Sequence, residues 1–198
     1  MTEPDDRDRY IVPALERGLQ LLRGFTRESP AMALGEIARA NGLPRATAFR
    51  LVRTLEVLGY LRRIEGTKTY RLGPAVLSLG FEYLASVDLP EIARPALESL
   101  RDRTGASAHL AIRDRDEIVY LSRHPSSSAL TSNIRVGTRL AAHGSSMGRA
   151  LLADLPADEL VSLYLDHEFK RYTDQTPANL DALRALLREE RLDLARVS

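Results

Sequence analysis

Along the first third of the chain, apolar residues recur at helical spacing. Val12, Leu15, Leu19 and Leu22 predict a helix from about Pro13 to Phe25, with Thr26 to Pro30 as its exit loop. From Leu34 to Tyr60 the pattern predicts two helices joined by the tight turn Asn41-Gly42. Pro44, whose fixed φ and missing N–H suit a first helical position, opens the second of them. Ala48, Leu51, Val52, Leu55 and Leu58 form its buried stripe. The opposite face carries Arg45, Ala46, Phe49, Arg50 and Arg53, and Thr47 lies on the flank. Tyr60 to Ile64 and Thr69 to Leu72 read as short strands around Glu65-Gly66-Thr67-Lys68, a hairpin turn. Three helices followed by a basic hairpin describe a winged helix-turn-helix, with Arg62, Arg63, Lys68 and Arg71 on or beside the wing.

Gly73-Pro74 ends the hairpin. Ala75 to Val87 then reads as a helix that is apolar around much of its circumference, and a helix of that kind wants a partner. Asp88-Leu89-Pro90 is expected to stop it, and Glu91 to Arg103 follows as an amphipathic helix. The period then changes. Ser107 to Arg113, Glu117 to Ser122 and Leu130 to Val136 read as antiparallel strands, Leu140 to Ala142 as a brief fourth, and helices resume at Ser145 to Ala153, Ala157 to Asp166 and about Ala178 to Arg191. The fold class is α+β: a flexible tail over 1–9, a winged helix-turn-helix over 10–73, a linker or dimerisation helix over 74–87 and a mixed α/β domain over 88–198.

Charge sharpens this division. The net charge of +1 at pH 7 over 198 residues conceals eleven Arg/Lys against five Asp/Glu in residues 10–73, and fifteen against eighteen in residues 74–198. The basic part coincides with the helix-turn-helix, as suits a module that meets a polyanion. The absence of cysteine excludes disulfides, thiolate zinc sites and cysteine nucleophiles. Met1 to Arg9 is too charged for a signal peptide and no later apolar run reaches spanning length, so a cytoplasmic protein with no membrane partner is expected.

In such a module phosphate neutralisation supplies most of the affinity, and side chains that reach base edges supply the choice of sequence. Arg45 and Arg50 are the base-edge candidates, since an arginine fork matches O6 and N7 of guanine. Thr47 is better placed for a phosphate. Solvated charges on a module whose winged helix mediates protein association are the alternative. A third reading comes from Gly144-Ser-Ser-Met-Gly148, which matches the Gly-x-Ser-x-Gly elbow of serine hydrolases, with Ser146 as nucleophile, His167 as base and Asp154 or Asp166 to orient it. That pattern recurs by chance at ordinary Gly and Ser frequencies, and the surrounding strands read as an antiparallel meander, whereas a hydrolase of that type needs a parallel sheet. No catalytic residue is therefore assigned.

Ser145 and Ser146 precede a helix whose free N–H groups favour an anion, so His143, Gly144, Ser145, Ser146 and Met147 are the effector-binding candidates. Plain N-capping by serine is the competing use. His109 alternates along its strand with Ala108 and Leu110, facing either solvent or a cavity. The four histidines lack metal-ligand spacing, so neither a metal nor a cofactor is expected.

These elements in this order resemble the IclR family of bacterial transcription regulators. The resemblance rests on Leu15-Glu-Arg-Gly-Leu19, Gly42-Leu-Pro-Arg-Ala-Thr47, Arg50-Leu-Val-Arg-Thr-Leu55, Leu58-Gly-Tyr60, Tyr70-Arg-Leu-Gly73, Ala93-Arg-Pro95, Val136-Gly-Thr-Arg139 and Ser146-Met-Gly-Arg-Ala-Leu-Leu152. Tyr83 to Ala93, with Ser145 to Arg149, is similar to the branch that regulates protocatechuate and 4-hydroxybenzoate catabolism. The resemblance implies a homodimer or tetramer, a winged domain on pseudo-palindromic operator DNA, and a GAF-like domain that binds a small aromatic or carboxylate effector. Chains of the family continue past the position of Ser198 with further strands, so residues 88–198 are expected to be part of that effector domain.

Overall fold

The computed structural model describes residues 10–126 and 134–197, the stretch 191–197 by backbone alone. The predicted tail over 1–9, and the first part of the strand predicted for Leu130 to Val136, lie outside the described residues. Contacts divide the chain into two units between Ser86 and Val87, after the apolar helix, whereas the sequence suggests a boundary near Gly73.

The first unit runs α1 (Pro13–Arg23), β1 (Met32–Ala33), α2 (Leu34–Ala40), α3 (Arg45–Val57), β2 (Leu61–Arg63), β3 (Thr69–Leu72) and α4 (Ala75–Ala85). The strands form an antiparallel sheet in the order β1-β3-β2, with Leu61 opposite Leu72, Arg62 opposite Arg71 and Arg63 opposite Tyr70. Two-residue β1 escapes sequence reading because it is too short to show a period; it pairs Met32 with Tyr70. Gly42 adopts φ 60° in the turn between α2 and α3, a conformation glycine reaches without a Cβ penalty, and Leu43 N–H closes the turn on the Ala38 carbonyl at 2.9 Å. At the other end of α2 the Glu36 carboxylate accepts the Ala33 N–H at 2.7 Å, satisfying one orphan donor of the first turn.

Leu21, Phe25, Met32, Ile37, Val52, Leu61 and Tyr70 form the core of this unit. Each fully buried large apolar side chain contributes about 1.5–3 kcal/mol, so these seven dominate the unit's stability. Three expectations change. Helix α1 is apolar on two faces, and it turns Gly18 and Leu21 inward while Val12, Leu15 and Leu19 stay exposed. Pro44 has extended ψ of 140° and is the N-cap of α3, not its first helical residue. Leu58 is the C-cap and lies in solvent, because α3 ends before the predicted stripe does.

The second unit contains α5 (Leu89–Thr104), β4 (Ala108–Asp114), β5 (Glu117–His124), β6 (Arg139–Ala141), α6 (Ser146–Ala153), α7 (Ala157–Tyr164) and α8 (Leu180–Val197), with a 3-10 turn at Ala142–Gly144 before α6. Pro90 lies in the first turn of α5, where a missing N–H costs nothing, so it opens this helix rather than closing the one before. Within 134–136 no strand forms; the backbone enters a turn in which Gly137 N–H donates to the Tyr120 carbonyl at 2.8 Å. The sheet is antiparallel in the order β4-β5-β6, with a bulge where the register shifts between Leu110 and Ala111.

The inner sheet face presents Ile118 and Tyr120 to Leu152, Leu160, Tyr164 and Leu183 of the helices. Arg149 Nε donates to Glu190 at 2.6 Å and ties α8 to α6. Gly148 permits the close approach of α6 to the turn before it: a Cβ there would stand 2.3 Å from the Ala142 carbonyl oxygen. Among the described residues no helix is long and apolar enough to cross a membrane.

Candidate functional site

Helix α3 exposes Arg45, Ala46, Phe49, Arg50 and Arg53 on one face, while Ala48 and Val52 are buried behind them. Arg53 is held by Glu56 at 2.6 Å, which offsets its charge and fixes its direction. Among the described residues Arg45 and Arg50 have no acidic partner. They are the free guanidinium forks on this face. Phe49 is 48% exposed between them, an apolar side chain of the kind that contacts a thymine methyl.

A groove of about 450 Å³ between α1 and α3 is lined by Arg17, Thr47, Arg50 and Thr54. Arg17 is absent from the sequence-derived set, because nothing in one-dimensional spacing says that α1 and α3 meet there. Thr47, half-buried at this groove, has the flank position expected of it. The Thr54 hydroxyl is spent on the Arg50 carbonyl at 3.0 Å, which leaves Arg17, Thr47 and the Arg50 guanidinium as the groove's polar ends with no partner among the described residues.

The hairpin sorts its basic residues onto two faces. Arg62 and Arg71 are cross-strand partners, both exposed. Like charges directly opposite destabilise a strand pair, so this arrangement costs the free hairpin and suits one that meets a polyanion. Arg63 lies on the other face and bonds the Thr67 carbonyl through Nε at 3.1 Å, while Thr67 Oγ1 donates to the Ile64 carbonyl at 2.8 Å. Arg63 therefore stiffens the turn, and Lys68 stands exposed at its tip.

In the second unit a cleft of about 530 Å³ collects His143, Gly144 and Ser145 of the predicted set with His167, Lys170 and Tyr172. His143 is 1% exposed. Its Nε2 faces the Lys170 carbonyl at 3.2 Å and, since a carbonyl only accepts, carries the ring proton; Nδ1 has no partner. Burial holds the imidazole below its usual range and, together with His167, outweighs the Lys170 hydrogen bond and Asp116. His167 approaches Asp116 at 3.4 Å through Nδ1, and its ring stands 5.1 Å from that of His143. Tyr164, also buried, has its phenol raised well above the usual value by desolvation, with Asp116 adding to the shift and the His143 backbone opposing it.

Ser146 and Met147 do not line this cleft. Ser146 is exposed, and Met147 packs half-buried against the core. The Ser145 hydroxyl accepts the Gly148 N–H at 3.0 Å, so N-capping is the use to which that serine is put. Tyr172 escapes sequence reading, and His167 is singled out there only as a hydrolase base, because both sit in the non-repetitive segment after α7, where nothing in the spacing brings them to His143. The serine-hydrolase arrangement is not assembled: Ser146 lies outside the cleft that holds His167, and Asp116 rather than Asp154 or Asp166 faces that ring. Among the described residues no three His, Asp or Glu side chains converge as a metal site.

Comparison with known proteins accords with this division. Residues 14–65 match the IclR helix-turn-helix domain, and residues 81–194 match the bacterial transcriptional regulator IclR C-terminal domain. The chain is 31% identical over 181 residues to the HTH-type transcriptional regulator XynR of Escherichia coli, covering 91% of this chain and 72% of that protein. It is 32% identical over 185 residues to the Pca regulon regulatory protein of Pseudomonas putida, covering 93% of this chain and 63% of that one. The crystal structure of an IclR family transcriptional regulator from Brucella abortus superposes with a TM-score of 0.76 at 36% identity, over 93% of this chain and 69% of that one. An IclR homologue from Microbacterium hydrocarbonoxydans, crystallised with 4-hydroxybenzoate, superposes with a TM-score of 0.72 at 28% identity, over 89% of this chain and 72% of that one. The family consists of transcription regulators rather than enzymes, and this chain belongs to it.

Proposed function

We propose that this chain reads a pseudo-palindromic operator through α3 and the β2–β3 hairpin and couples that reading to a small aromatic or carboxylate effector held by the second unit. Residues 10–73 act as the DNA-binding domain, 74–87 as the dimerisation helix and 88–198 in effector binding, in the cytoplasm. The observation that supports this reading is the pair of exposed arginines on α3, Arg45 and Arg50, without an acidic partner among the described residues, together with the like-charged pair Arg62 and Arg71 on the hairpin. Arg45, Arg50 and Phe49 read bases; Arg17, Thr47, Arg62, Lys68 and Arg71 hold phosphates.

Two recognition helices one helical turn apart require a homodimer, or a tetramer built from two. The exposed apolar faces of α1 and α4 supply the surface, with Leu15 63% and Phe81 60% exposed. In the cleft the effector's acid meets Lys170 and its ring meets Tyr172 and His167. The effector regulates a catabolic operon by favouring one of two arrangements of the pair, which requires different affinity for each.

Fluorescence anisotropy with DNA from upstream of the chain's own gene tests this. Arg50→Ala is expected to weaken binding by about 1–3 kcal/mol and relax preference at one base pair. Lys68→Ala is expected to weaken all sequences alike and to reduce the slope of log affinity on log salt by about one. Unaltered binding in both variants assigns the basic face to protein association instead.

A further inference from the structure

The segment between α7 and α8 is a strap along one side of the cleft. It leaves from buried Tyr164 and returns to the fold at Thr176 and Pro177, both buried. Between those anchors, residues 165–175 form neither helix nor strand, and only His167 and Phe169 are half-buried; the others are exposed. The near end holds itself together, since the Thr176 hydroxyl accepts the Tyr172 and Thr173 N–H groups at 3.3 and 3.0 Å. Phe169 packs against the core, His167 Nδ1 lies 3.4 Å from Asp116, and the Lys170 carbonyl accepts the His143 Nε2–H at 3.2 Å. Tyr172 lies so close to Gly144 that a Cβ there would stand 2.7 Å from its ring. A segment with so few buried apolar contacts belongs to the part of a fold that opens at low cost.

His143 lies beneath this strap and makes its closure sensitive to protons. Its Nε2–H is committed to Lys170, so a further proton goes to Nδ1, a buried atom with no acceptor among the described residues. A buried N–H of a charged ring without an acceptor is expensive, and little offsets it here. From the β4–β5 turn Asp116 attracts the charge, and from the strap His167 opposes it. Arg139 of β6 is held by Asp114 and Glu117, and Tyr164 of α7 stays a neutral phenol. Glu168 and Lys170 of the strap are exposed to solvent. Lifting the strap takes His167 away and lets water accept the Nδ1 proton.

We propose that residues 165–175 are an acid-released strap on the cleft, with His143 as the group that takes up the proton. The unit answers acid first by lifting this segment, while its helices and sheet stay folded. The sign follows from linkage: the open form binds a proton that the closed form refuses, so opening rises as pH falls through the ordinary imidazole range near 6.5. For one such group the open population grows about threefold to tenfold between about pH 7.5 and about pH 5.5. Neither DNA nor an effector enters this behaviour, so it stands or falls separately from the function proposed above.

Hydrogen exchange read by mass spectrometry, corrected for the intrinsic effect of pH on amide exchange, tests this on the chain without ligand. Amides of 165–175 are expected to open more at the lower pH by that factor, while α6 and residues 180–190 of α8 keep their protection. His143→Gln retains an N–H for the Lys170 carbonyl but takes no proton, so its strap is expected to exchange alike at both pH values. A step of equal size in that variant overturns the proposal, as does the absence of a step in the parent chain or an equal loss of protection throughout the unit. Asp116→Asn separates His143 from the neighbouring pair. Without the carboxylate the closed form refuses the proton more strongly, so the step is expected to persist; its disappearance assigns the release to His167 and Asp116 and overturns the proposal.

Discussion

Gly148 and His143 show how single atoms set limits in the second unit. A methyl group at position 148 would meet backbone atoms of Ala142 at 2.3 and 2.5 Å, neither of which can rotate away. Gly148→Ala is therefore expected to cost about 1–3 kcal/mol through overpacking, read as a lower urea midpoint. Gly35, whose Cβ would meet nothing within 4 Å, is the control: Gly35→Ala is expected to be neutral or stabilising.

His143 makes a pH-dependent contribution. Burial lowers its folded-state pKa below the unfolded value of 6.5, so the unfolded chain binds a proton that the folded chain refuses. Its contribution is complete above 6.5 and is lost as pH falls from there through the folded value. Urea unfolding at about pH 7.5 and about pH 5.5 should show a smaller loss for His143→Gln than for the parent chain. His109 acts with the same sign, so the variant flattens the dependence only in part.

At the scale of elements, strong periods and turn chemistry were legible and orientation was not. The Asn41-Gly42 turn, the hairpin around Gly66 and the positions of α3, α5, β4 and β5 follow from local signals that tertiary contacts do not override. Helix α1 carries apolar residues on two faces, and a periodicity argument selects the more regular one. The core selected the other, because Leu21 and Phe25 meet Ile37 and Val52. The same limit explains the sites. Arg45 and Arg50 are legible as candidates because one helix carries both them and the buried stripe opposite, whereas Arg17 and Tyr172, and His167 as a cleft residue, become candidates only when separate elements come together.

For the whole molecule, the exposed apolar faces become informative. Leu15 and Leu19 on α1, and Leu77 and Phe81 on α4, leave large apolar side chains exposed on two helices of one unit, the kind of surface that marks a partner contact. Sedimentation is expected to show the parent chain as a dimer or larger assembly. A chain carrying Leu15→Ser and Phe81→Ser should be a folded monomer, because both side chains lie outside the core. A variant that stays dimeric would place the dimer contact elsewhere.

The facing pair Arg62 and Arg71 carries a further consequence. In the free protein their repulsion works against the cross-strand bonds of the wing, and a row of phosphates removes that repulsion on contact. On the proposed reading the wing is a spring that DNA relaxes, and hydrogen exchange is expected to show its backbone amides opening more often off the operator than on it. Part of the affinity is then stored as tension in three residues of β2 and four of β3 before any base is met.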